Sequence, residues 1–296
     1  MKFTIAICTW NGATRIVKTL NSLVAMDRKS EIDWELIVVD NNSSDSTNEI
    51  CLGFSDRLPI RVVTEKNQGH SYSRNCAIDH AQGDYIIWTD DDVLVDSNWI
   101  NAYDLATEEY PDSAFFGGKI VPHFEHKIPN WVQLNWEICV GVFAGRDMGN
   151  ESFEIDSLDT LPYGANFATK REIQNRFRYD PQFGRTAEGV RGFDEIDVLS
   201  RMLNAGHTGR WVPHSSLRHL IEESRTTLKY VSDFYFGQGE TWIQRGVSTQ
   251  TKKEIRRRLL ALRMYYVWQK LTFSKNWLPI MTEISNLKGQ LAQLGI

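Results

Sequence analysis

Hydrophobic residues in the first 110 positions form short runs of strand length, and these runs alternate with segments of helical spacing. The strand-like runs are Phe3–Thr9, Glu35–Asp40, Ile60–Thr64 and Tyr85–Thr89. The helical segments are Thr14–Met26, Tyr72–Ala81 and Trp99–Glu109, and a further helix is expected after the Ser- and Asp-rich segment Asn41–Thr47. This alternation predicts right-handed βαβ units and an α/β fold with a mostly parallel central sheet flanked by helices.

The pattern becomes less regular after Pro111. We expect a strand at Phe115–Val121, an irregular stretch over 122–165, a helix at Glu195–Asn204 and a short strand at Trp211–Val212. Long irregular stretches inside compact domains are often functional. From about Lys252 to Leu271, a helical segment begins with basic residues and then becomes strongly apolar.

The chain has 296 residues, of which 42% are hydrophobic, and a formal net charge of −5. Contact with nucleic-acid phosphates requires a basic surface, so we expect no nucleic-acid partner. The four cysteines include no CxxC pair, which favours buried thiols in a reducing, cytoplasmic compartment. The N-terminal apolar run is too short for a signal peptide, and no run approaches the roughly 20 residues that span a membrane.

Three consecutive aspartates, Asp90, Asp91 and Asp92, follow the fourth predicted strand. Adjacent carboxylates repel each other, so the cluster needs a cation, hydrogen-bond donors or full exposure to water. Carboxylates at the carboxyl edge of a sheet suit Mg²⁺ or Mn²⁺, and such a metal would hold a diphosphate. Asp90 and Asp91 are therefore candidate nucleotide-binding residues, and Asp90 and Asp92 candidate metal ligands. A solvated acidic turn before a helix is an equally good explanation at this point.

Polar residues also follow the other three strands of the predicted parallel sheet. The carboxyl ends of parallel strands lie at one edge, so these residues should line one groove of nucleotide size, although each set alone is an ordinary turn. The candidate nucleotide-binding residues are Thr9, Trp10, Asn11, Asp40, Asn67, Gly69 and, on the helix that follows, Arg74. Arg74 fits a phosphate contact, a pair with the aspartates or an ordinary salt bridge on a helix surface.

These motifs, taken together and in order, resemble the family 2 glycosyltransferases, whose catalytic domains have the GT-A fold. The resemblance covers about residues 3–245. The stretches that carry it are Ile5–Asn11, Val38–Thr47, Asn67–Ala77, Gly83–Asp92, Tyr163–Arg171, Phe193–Arg201 and Trp211–His219. It implies an inverting, non-processive enzyme that transfers one sugar from a nucleotide-sugar donor to a hydroxyl acceptor.

The resemblance also implies roles for individual residues. Asp40 matches the aspartate that contacts uracil, so the implied donor is a UDP-sugar. Asp90 and Asp92 match the Asp-x-Asp pair that holds the metal and the donor diphosphate, and His219 matches a histidine that supplies a further metal ligand. Arg225 stands at the spacing of an arginine that contacts the diphosphate. The implied cofactor is Mn²⁺ or Mg²⁺.

An inverting transfer needs a carboxylate that takes the proton of the acceptor hydroxyl. Family members usually have Glu-Asp at the corresponding helix start, with the aspartate as the base, whereas this chain has Asp194 followed by Glu195. Alignment on Arg201 places Glu195 at the base position, but the exchanged order leaves the choice between the two open. Acidic residues here also favour the helix dipole, which is a purely structural explanation.

The resemblance places the segment around Asn166 below the acceptor sugar, where this amide would orient a hydroxyl. Trp131 and Trp136 are candidate stacking platforms for a sugar ring, and a core role fits each of them equally well. The Gln-x-x-Arg-Trp motif of processive, membrane-embedded synthases is absent. A transferase of single sugars is therefore the better match. The resemblance implies a glycan, lipid-linked or other hydroxyl acceptor, as in the synthesis of a bacterial-type cell-surface polysaccharide or glycoconjugate.

We expect a glycosyltransferase domain over residues 1–245, with a nucleotide-binding half at 1–110 and an acceptor-binding half at 111–245. A helical extension should follow over 246–296. Its segment 252–271 fits peripheral contact with the inner face of the plasma membrane, docking on the catalytic domain or docking on a second subunit.

Two other functions are open from the sequence. A sugar nucleotidylyltransferase would share the α/β plan and the metal carboxylates, but the Gly-rich phosphate loop expected after the first strand is absent. A non-catalytic sugar- or nucleotide-binding module would keep the groove, but it would not need the acidic residues Asp194 and Glu195.

Overall fold

The computed structural model describes residues 1–184, 192–271 and 277–295. Within them, nine strands form one sheet. The strands are β1 (Phe3–Thr9), β2 (Trp34–Asp40), β3 (Ile60–Thr64), β4 (Tyr85–Thr89), β5 (Val93–Val95), β6 (Phe115–Phe124), β7 (Glu154–Ile155), β8 (Asn166–Lys170) and β9 (Gly209–Ile221).

The α-helices of the described residues alternate with these strands and then continue beyond them. They are α1 (Ile16–Val24), α2 (Thr47–Leu52), α3 (His70–His80), α4 (Trp99–Glu109), α5 (Asn130–Leu134), α6 (Trp136–Cys139), α7 (Arg171–Gln174), α8 (Asp194–Asn204), α9 (Leu228–Gln244), α10 (Lys252–Leu271) and α11 (Trp277–Gln293). The predicted α/β fold, with helices flanking the sheet, is confirmed.

Strands β1 to β4 pair in parallel, in the spatial order β3-β2-β1-β4. Strand β8 then pairs with β4 in the antiparallel sense, and β5 and β7 pair antiparallel with β9. The parallel part brings the carboxyl ends of four strands to one edge, as the sequence predicts. The antiparallel part was not foreseen, and it brings β9 beside the segment that follows β4.

The sheet is covered on both faces. Along β2, Leu36 and Val38 belong to one apolar cluster, whereas Ile37 and Val39 belong to another. Successive side chains of a strand point to opposite faces, so a strand buried on both sides must be apolar at every position. This explains why β2 has a continuous hydrophobic run rather than an alternating pattern.

Strand β9 corrects one prediction. The sequence indicates only a short strand at Trp211–Val212, whereas the strand covers 13 residues, Gly209–Ile221. Its buried residues alternate with polar ones along most of its length, including Arg210, His214 and Arg218. A search for a continuous apolar run misses a strand of this kind, because only one of its faces is fully buried.

The chain forms two compact units. The first contains Met1–His123, Ala144–Gly184 and Asp194–Ile221, which carry nearly all of the sheet. The described residues of the second lie within Phe124–Phe143, Arg185–Phe193 and Glu222–Ile296. The domain borders expected at residues 110 and 245 stay a prediction.

In the second unit, α9 and α11 approach each other backbone to backbone. A Cβ atom on Gly239 would lie 1.9 Å from the carbonyl oxygen of Asn286, and one on Gly289 would lie 1.9 Å from that of Phe236. Only glycine permits such an approach at both positions. None of the described helices combines the length and the hydropathy that crossing a membrane requires.

Substituting Gly289 by alanine should destabilise the second unit. The added methyl group cannot fit against Phe236, and overpacking of this kind costs about 1–3 kcal/mol. Denaturant unfolding of the full chain measures the change. Lys288→Ala is the matched control, because the Lys288 side chain is exposed on the same helix. A Gly289→Ala variant as stable as the control would show that the two helices have room to separate.

Candidate active site

The carboxylates that follow β4 meet a histidine from β9. Antiparallel pairing sets Val93 opposite His219, and the Leu220 N–H donates to the Asp92 carbonyl oxygen at 2.8 Å. His219 Nε2 therefore lies 3.2 Å from Asp92 Oδ1. One potential ligand atom each from Asp90, Asp92 and His219 lies within 4.8 Å of the others. Two carboxylates and an imidazole suit Mn²⁺, and the two carboxylates also suit Mg²⁺.

The middle aspartate has different partners. Asp91 accepts hydrogen bonds from Thr9 Oγ1 at 2.6 Å and from Arg15 Nη2 at 3.0 Å. A Cβ atom on Gly12 would lie 2.2 Å from Thr9 Oγ1, so only glycine leaves room for this arrangement. Burial and the neighbouring Asp92 raise the pKa of Asp91, although Arg15 and Thr9 oppose the shift. The side chains of Thr9 and Asp91 are thus hydrogen-bonded to each other, and the nucleotide contacts expected of them stay predictions.

Arg15 also fixes the loop after β1. Its Nη1 donates to the carbonyl oxygen of Asn11 at 3.3 Å, and its Nη2 donates to that of Trp10 at 3.2 Å. The Trp10 side chain is 42% exposed, and Asn11 has a positive φ of 47° and accepts from the Ser44 N–H at 2.9 Å. No sequence pattern marked Arg15, because its partner Asp91 is distant in the chain.

The loops after β2 and β3 are joined by an amide. Asn41 Oδ1 accepts from the Gly69 N–H at 2.7 Å, and Asn41 Nδ2 donates to the Asn67 carbonyl oxygen at 2.7 Å. Gly69 has a φ of 142°, a conformation that favours glycine. Asp40 is buried and accepts from the Ser43 N–H at 3.1 Å. The structure therefore brings Asp40, Asn67 and Gly69 to one edge of the sheet, as predicted.

A second group of charges surrounds the start of α8. Arg74 Nη1 lies 3.5 Å from Asp194 Oδ2 and 3.9 Å from Glu195 Oε2. His70 Nδ1 lies 3.1 Å from Asp194 Oδ2. The backbone N–H of Gly164 donates to Glu195 Oε1 at 3.2 Å. Helix α3, which carries His70 and Arg74, and the loop at Gly164 thus hold the two carboxylates from positions distant in sequence.

The two carboxylates differ in their electrostatics. Burial opposes ionisation of Asp194, but Arg74 and His70 hold the pKa of Asp194 well below its usual range. Burial and the charge of Asp194 raise the pKa of Glu195 to about 7, against the attraction of Arg74. The Glu195 side chain is also the more accessible, at 14% exposure against 4% for Asp194. Glu195 is therefore the carboxylate suited to exchange a proton near neutral pH.

Arg74 is buried, with 3% of its side chain exposed, so the alternative of an ordinary surface salt bridge is wrong. Its guanidinium carbon lies 5.1 Å from the ring centre of Tyr179 and 5.6 Å from that of Trp88. Burial alone would lower the pKa of Arg74. The charges around it, including those of Asp194 and Asp90, raise the pKa by more than burial lowers it, so the net shift is upward. Arg74 thus interacts electrostatically with the two α8 carboxylates and with Asp90, the first of the aspartates after β4.

Asn166 corrects a second prediction. Its side chain is fully buried. Its Oδ1 accepts from Trp99 Nε1 and the Tyr103 hydroxyl, each at 2.8 Å. Its Nδ2 donates to the carbonyl oxygens of Lys119 at 2.9 Å and Ser215 at 2.8 Å. The amide has no hydrogen bond left to offer a substrate hydroxyl, and it joins strands in the core instead.

Three predicted site residues belong to the second unit. Trp136 is 38% exposed and packs at a tilt against Phe143, and Trp131 packs against Trp277. Arg225 is half-buried in a one-turn helix before α9. Their roles in binding the acceptor and the diphosphate stay predictions.

The ion pair between Arg15 and Asp91 is open to a double-mutant cycle. Arg15→Met, Asp91→Asn and the double variant should give a coupling free energy of about 1–3 kcal/mol, because Arg15→Met leaves a buried carboxylate without its cation. Denaturant unfolding measures the free energy of unfolding of the unchanged protein and of each variant. The control is the exposed pair Arg176 and Glu172, which should couple by less than about 0.5 kcal/mol. Equal coupling in both cycles would contradict a structural role for Arg15.

Residues 4–175 match the family described as Glycosyl transferase family 2. The chain is 24% identical over 242 residues to the succinoglycan biosynthesis protein ExoM of Rhizobium meliloti (strain 1021), which covers 80% of this chain and 72% of ExoM.

Two solved structures share the fold. TarS 1–349 of S. aureus, in complex with UDP-GlcNAc, matches with a TM-score of 0.58 and 18% identity, over 93% of this chain and 74% of the other. The mannosyltransferase PcManGT of Pyrobaculum calidifontis, in complex with GDP-Man and Mn²⁺, matches with a TM-score of 0.67 and 15% identity, over 99% and 87%. The family match covers more than half of the chain, so this protein belongs to glycosyl transferase family 2 and is a GT-A glycosyltransferase that uses a nucleotide-sugar donor.

Proposed function

We propose that the protein transfers a single sugar from a UDP-sugar to a hydroxyl acceptor with inversion, in a reaction that depends on a divalent metal. One observation carries this proposal. The same unit contains a candidate metal site of Asp90, Asp92 and His219 and a carboxylate of raised pKa, Glu195, and buried Arg74 interacts with the charges of Asp90 and Glu195.

On the donor side, Asp90, Asp92 and His219 would hold Mn²⁺ or Mg²⁺. Two carboxylates and an imidazole, grouped closely and mostly buried, are a donor set that fits such an ion. The ion, when bound, would neutralise charge on the departing diphosphate. The Mn²⁺ in the PcManGT complex supports the metal, and the UDP-GlcNAc in the TarS complex supports a uridine donor. Asp40, at the end of β2, would accept from the uracil N–H.

On the acceptor side, Glu195 would act as the base. The acceptor oxygen attacks the anomeric carbon from the face opposite the diphosphate, and the bond from that carbon to the phosphate oxygen breaks. The hydroxyl proton passes to Glu195. The Gly164 N–H holds one oxygen of this carboxylate. Asp194, kept as an anion by Arg74 and His70, raises the proton affinity of Glu195.

The acceptor belongs to cell-surface polysaccharide or glycoconjugate synthesis in this proposal. The similarity to ExoM, a succinoglycan biosynthesis protein, supports a glycan acceptor. Trp131 and Trp136 are the proposed platforms for its sugar ring, and Asn166 is excluded because its hydrogen bonds are satisfied in the core. All four cysteines are unpaired, which supports a cytoplasmic location.

If the metal joins the donor to the protein, UDP with Mn²⁺ should raise the unfolding temperature more than UDP alone, because ligands stabilise the state that binds them. Asp92→Asn should lose the part of the shift that needs metal. Thermal unfolding with each addition measures both effects, and Asp56→Asn, at an exposed position, is the control. Equal shifts with and without Mn²⁺ would contradict metal-bridged binding.

A panel of nucleotide sugars, scored by release of nucleoside diphosphate, would identify the donor.

If Glu195 is the base, Glu195→Gln should keep UDP binding and lower transfer about 10²- to 10⁴-fold. The base must be unprotonated, so the rate for the natural protein should rise with pH and level off above about 7. Asp194→Asn removes the negative charge that raises the pKa of Glu195, so the rise should move to lower pH. Rate profiles over pH measure both.

The control for this experiment is Asp197→Asn, on the same helix, where the carboxylate pairs with Arg201. It should leave the profile in place. Full turnover by Glu195→Gln together with loss of turnover in Asp194→Asn would assign the base to Asp194 instead, while the enzyme class would stand.

A further inference from the structure

Helix α10 (Lys252–Leu271) has one buried stripe. Ile255 and Leu259 pack in an apolar cluster with Ile280, Ile284 and Leu287 of α11. Leu262 and Tyr266 continue the stripe at the spacing of three and four residues that places side chains on one helix face. This stripe accounts for the attachment of α10 within the second unit, and it leaves the other faces of the helix in contact with solvent.

The exposed part of α10 carries large apolar side chains. Leu260 is 62% exposed, Met264 is 65%, Val267 is 57% and Trp268 is 55%. They stand at positions i, i+4, i+7 and i+8, so they share one face, away from the buried stripe. A lone exposed leucine is ordinary, but several large apolar side chains on one face indicate an interaction surface. We call these four side chains the apolar face of α10.

The same helix is strongly cationic. It contains seven Lys or Arg residues and a single Glu, in a chain whose formal net charge is −5. Arg258 pairs with Glu283 of α11, and Glu254 accepts hydrogen bonds from Thr251. The exposed cations Lys252, Lys253, Arg256, Arg257 and Arg263 precede or flank the apolar face.

We propose that the exposed side of α10 binds the surface of an anionic lipid bilayer. The helix would lie in the plane of the interface, with its cations on lipid phosphates and Met264, Val267 and Trp268 among the upper acyl chains. Charge complementarity favours this occupant over a second copy, because two α10 helices facing each other would bring like charges together. The inference concerns binding alone and does not rest on the proposed function.

The test uses the full chain and vesicle flotation. The protein should bind vesicles of phosphatidylcholine and phosphatidylglycerol in equal parts, should bind vesicles of phosphatidylcholine alone much more weakly, and should be released by salt. Each surface cation contributes roughly fivefold, so Arg256→Gln with Arg257→Gln should weaken binding roughly 25-fold. Met264→Ser with Trp268→Ser should weaken it by roughly tenfold or more.

Matched controls come from the first unit. Leu105→Ser removes an exposed leucine of α4, and Arg176→Gln removes an exposed cation, and both should bind as the unchanged protein does. All variants alter exposed side chains, so their unfolding midpoints should agree. Failure to bind anionic vesicles, equal binding to both lipid mixtures or full binding by the α10 variants would overturn the proposal. So would a dimer in light scattering that Met264→Ser with Trp268→Ser converts to a monomer without any effect on vesicles.

Discussion

The buried charge of Arg74 is the interaction on which the rest of the site depends. A guanidinium removed from water is costly unless carboxylates compensate it, and Asp194 and Glu195 do so from the start of α8. The carboxylates need Arg74 for the same reason, because both lie in surroundings that disfavour their charge. The aromatic rings of Trp88 and Tyr179 around the guanidinium keep water away and strengthen these interactions. The strength of the charge interactions of Arg74 therefore depends on the packing of these rings around it.

The aspartates after β4 must also be compensated for their burial and mutual repulsion, and here the fold does so in a different way. Three adjacent carboxylates cannot share one environment, and the fold gives each its own. Asp91 accepts hydrogen bonds from Arg15 and Thr9, Asp92 lies beside His219, and Asp90 is partly exposed. This division leaves two carboxylates and an imidazole grouped together while the third carboxylate holds the loop after β1. The sequence shows the repulsion, but only the fold shows how it is relieved.

Local patterns predicted the parallel half of the sheet well. The predicted bounds of Phe3–Thr9, Ile60–Thr64, Tyr85–Thr89 and Trp99–Glu109 agree with the structure, because burial on one or both faces is encoded in neighbouring residues. The roles of residues whose partners are distant in sequence were harder to predict. The partners of Asn166 lie more than 45 residues away, and nothing nearby indicates that its amide is satisfied in the core. Arg15 was missed for the same reason, and His219 was found only through the resemblance.

The site depends on the absence of a Cβ atom at Gly164. A Cβ at this position would lie 2.6 Å from Arg74 Nη2, so any other residue would push the guanidinium aside or draw the peptide away from Glu195. Hydrogen is thus the one substituent that keeps both neighbours in place. A position with no functional group of its own thus sets how closely the Arg74 guanidinium and the Gly164 N–H approach the same carboxylate. A side chain introduced there would disturb the site without removing any of its charged groups.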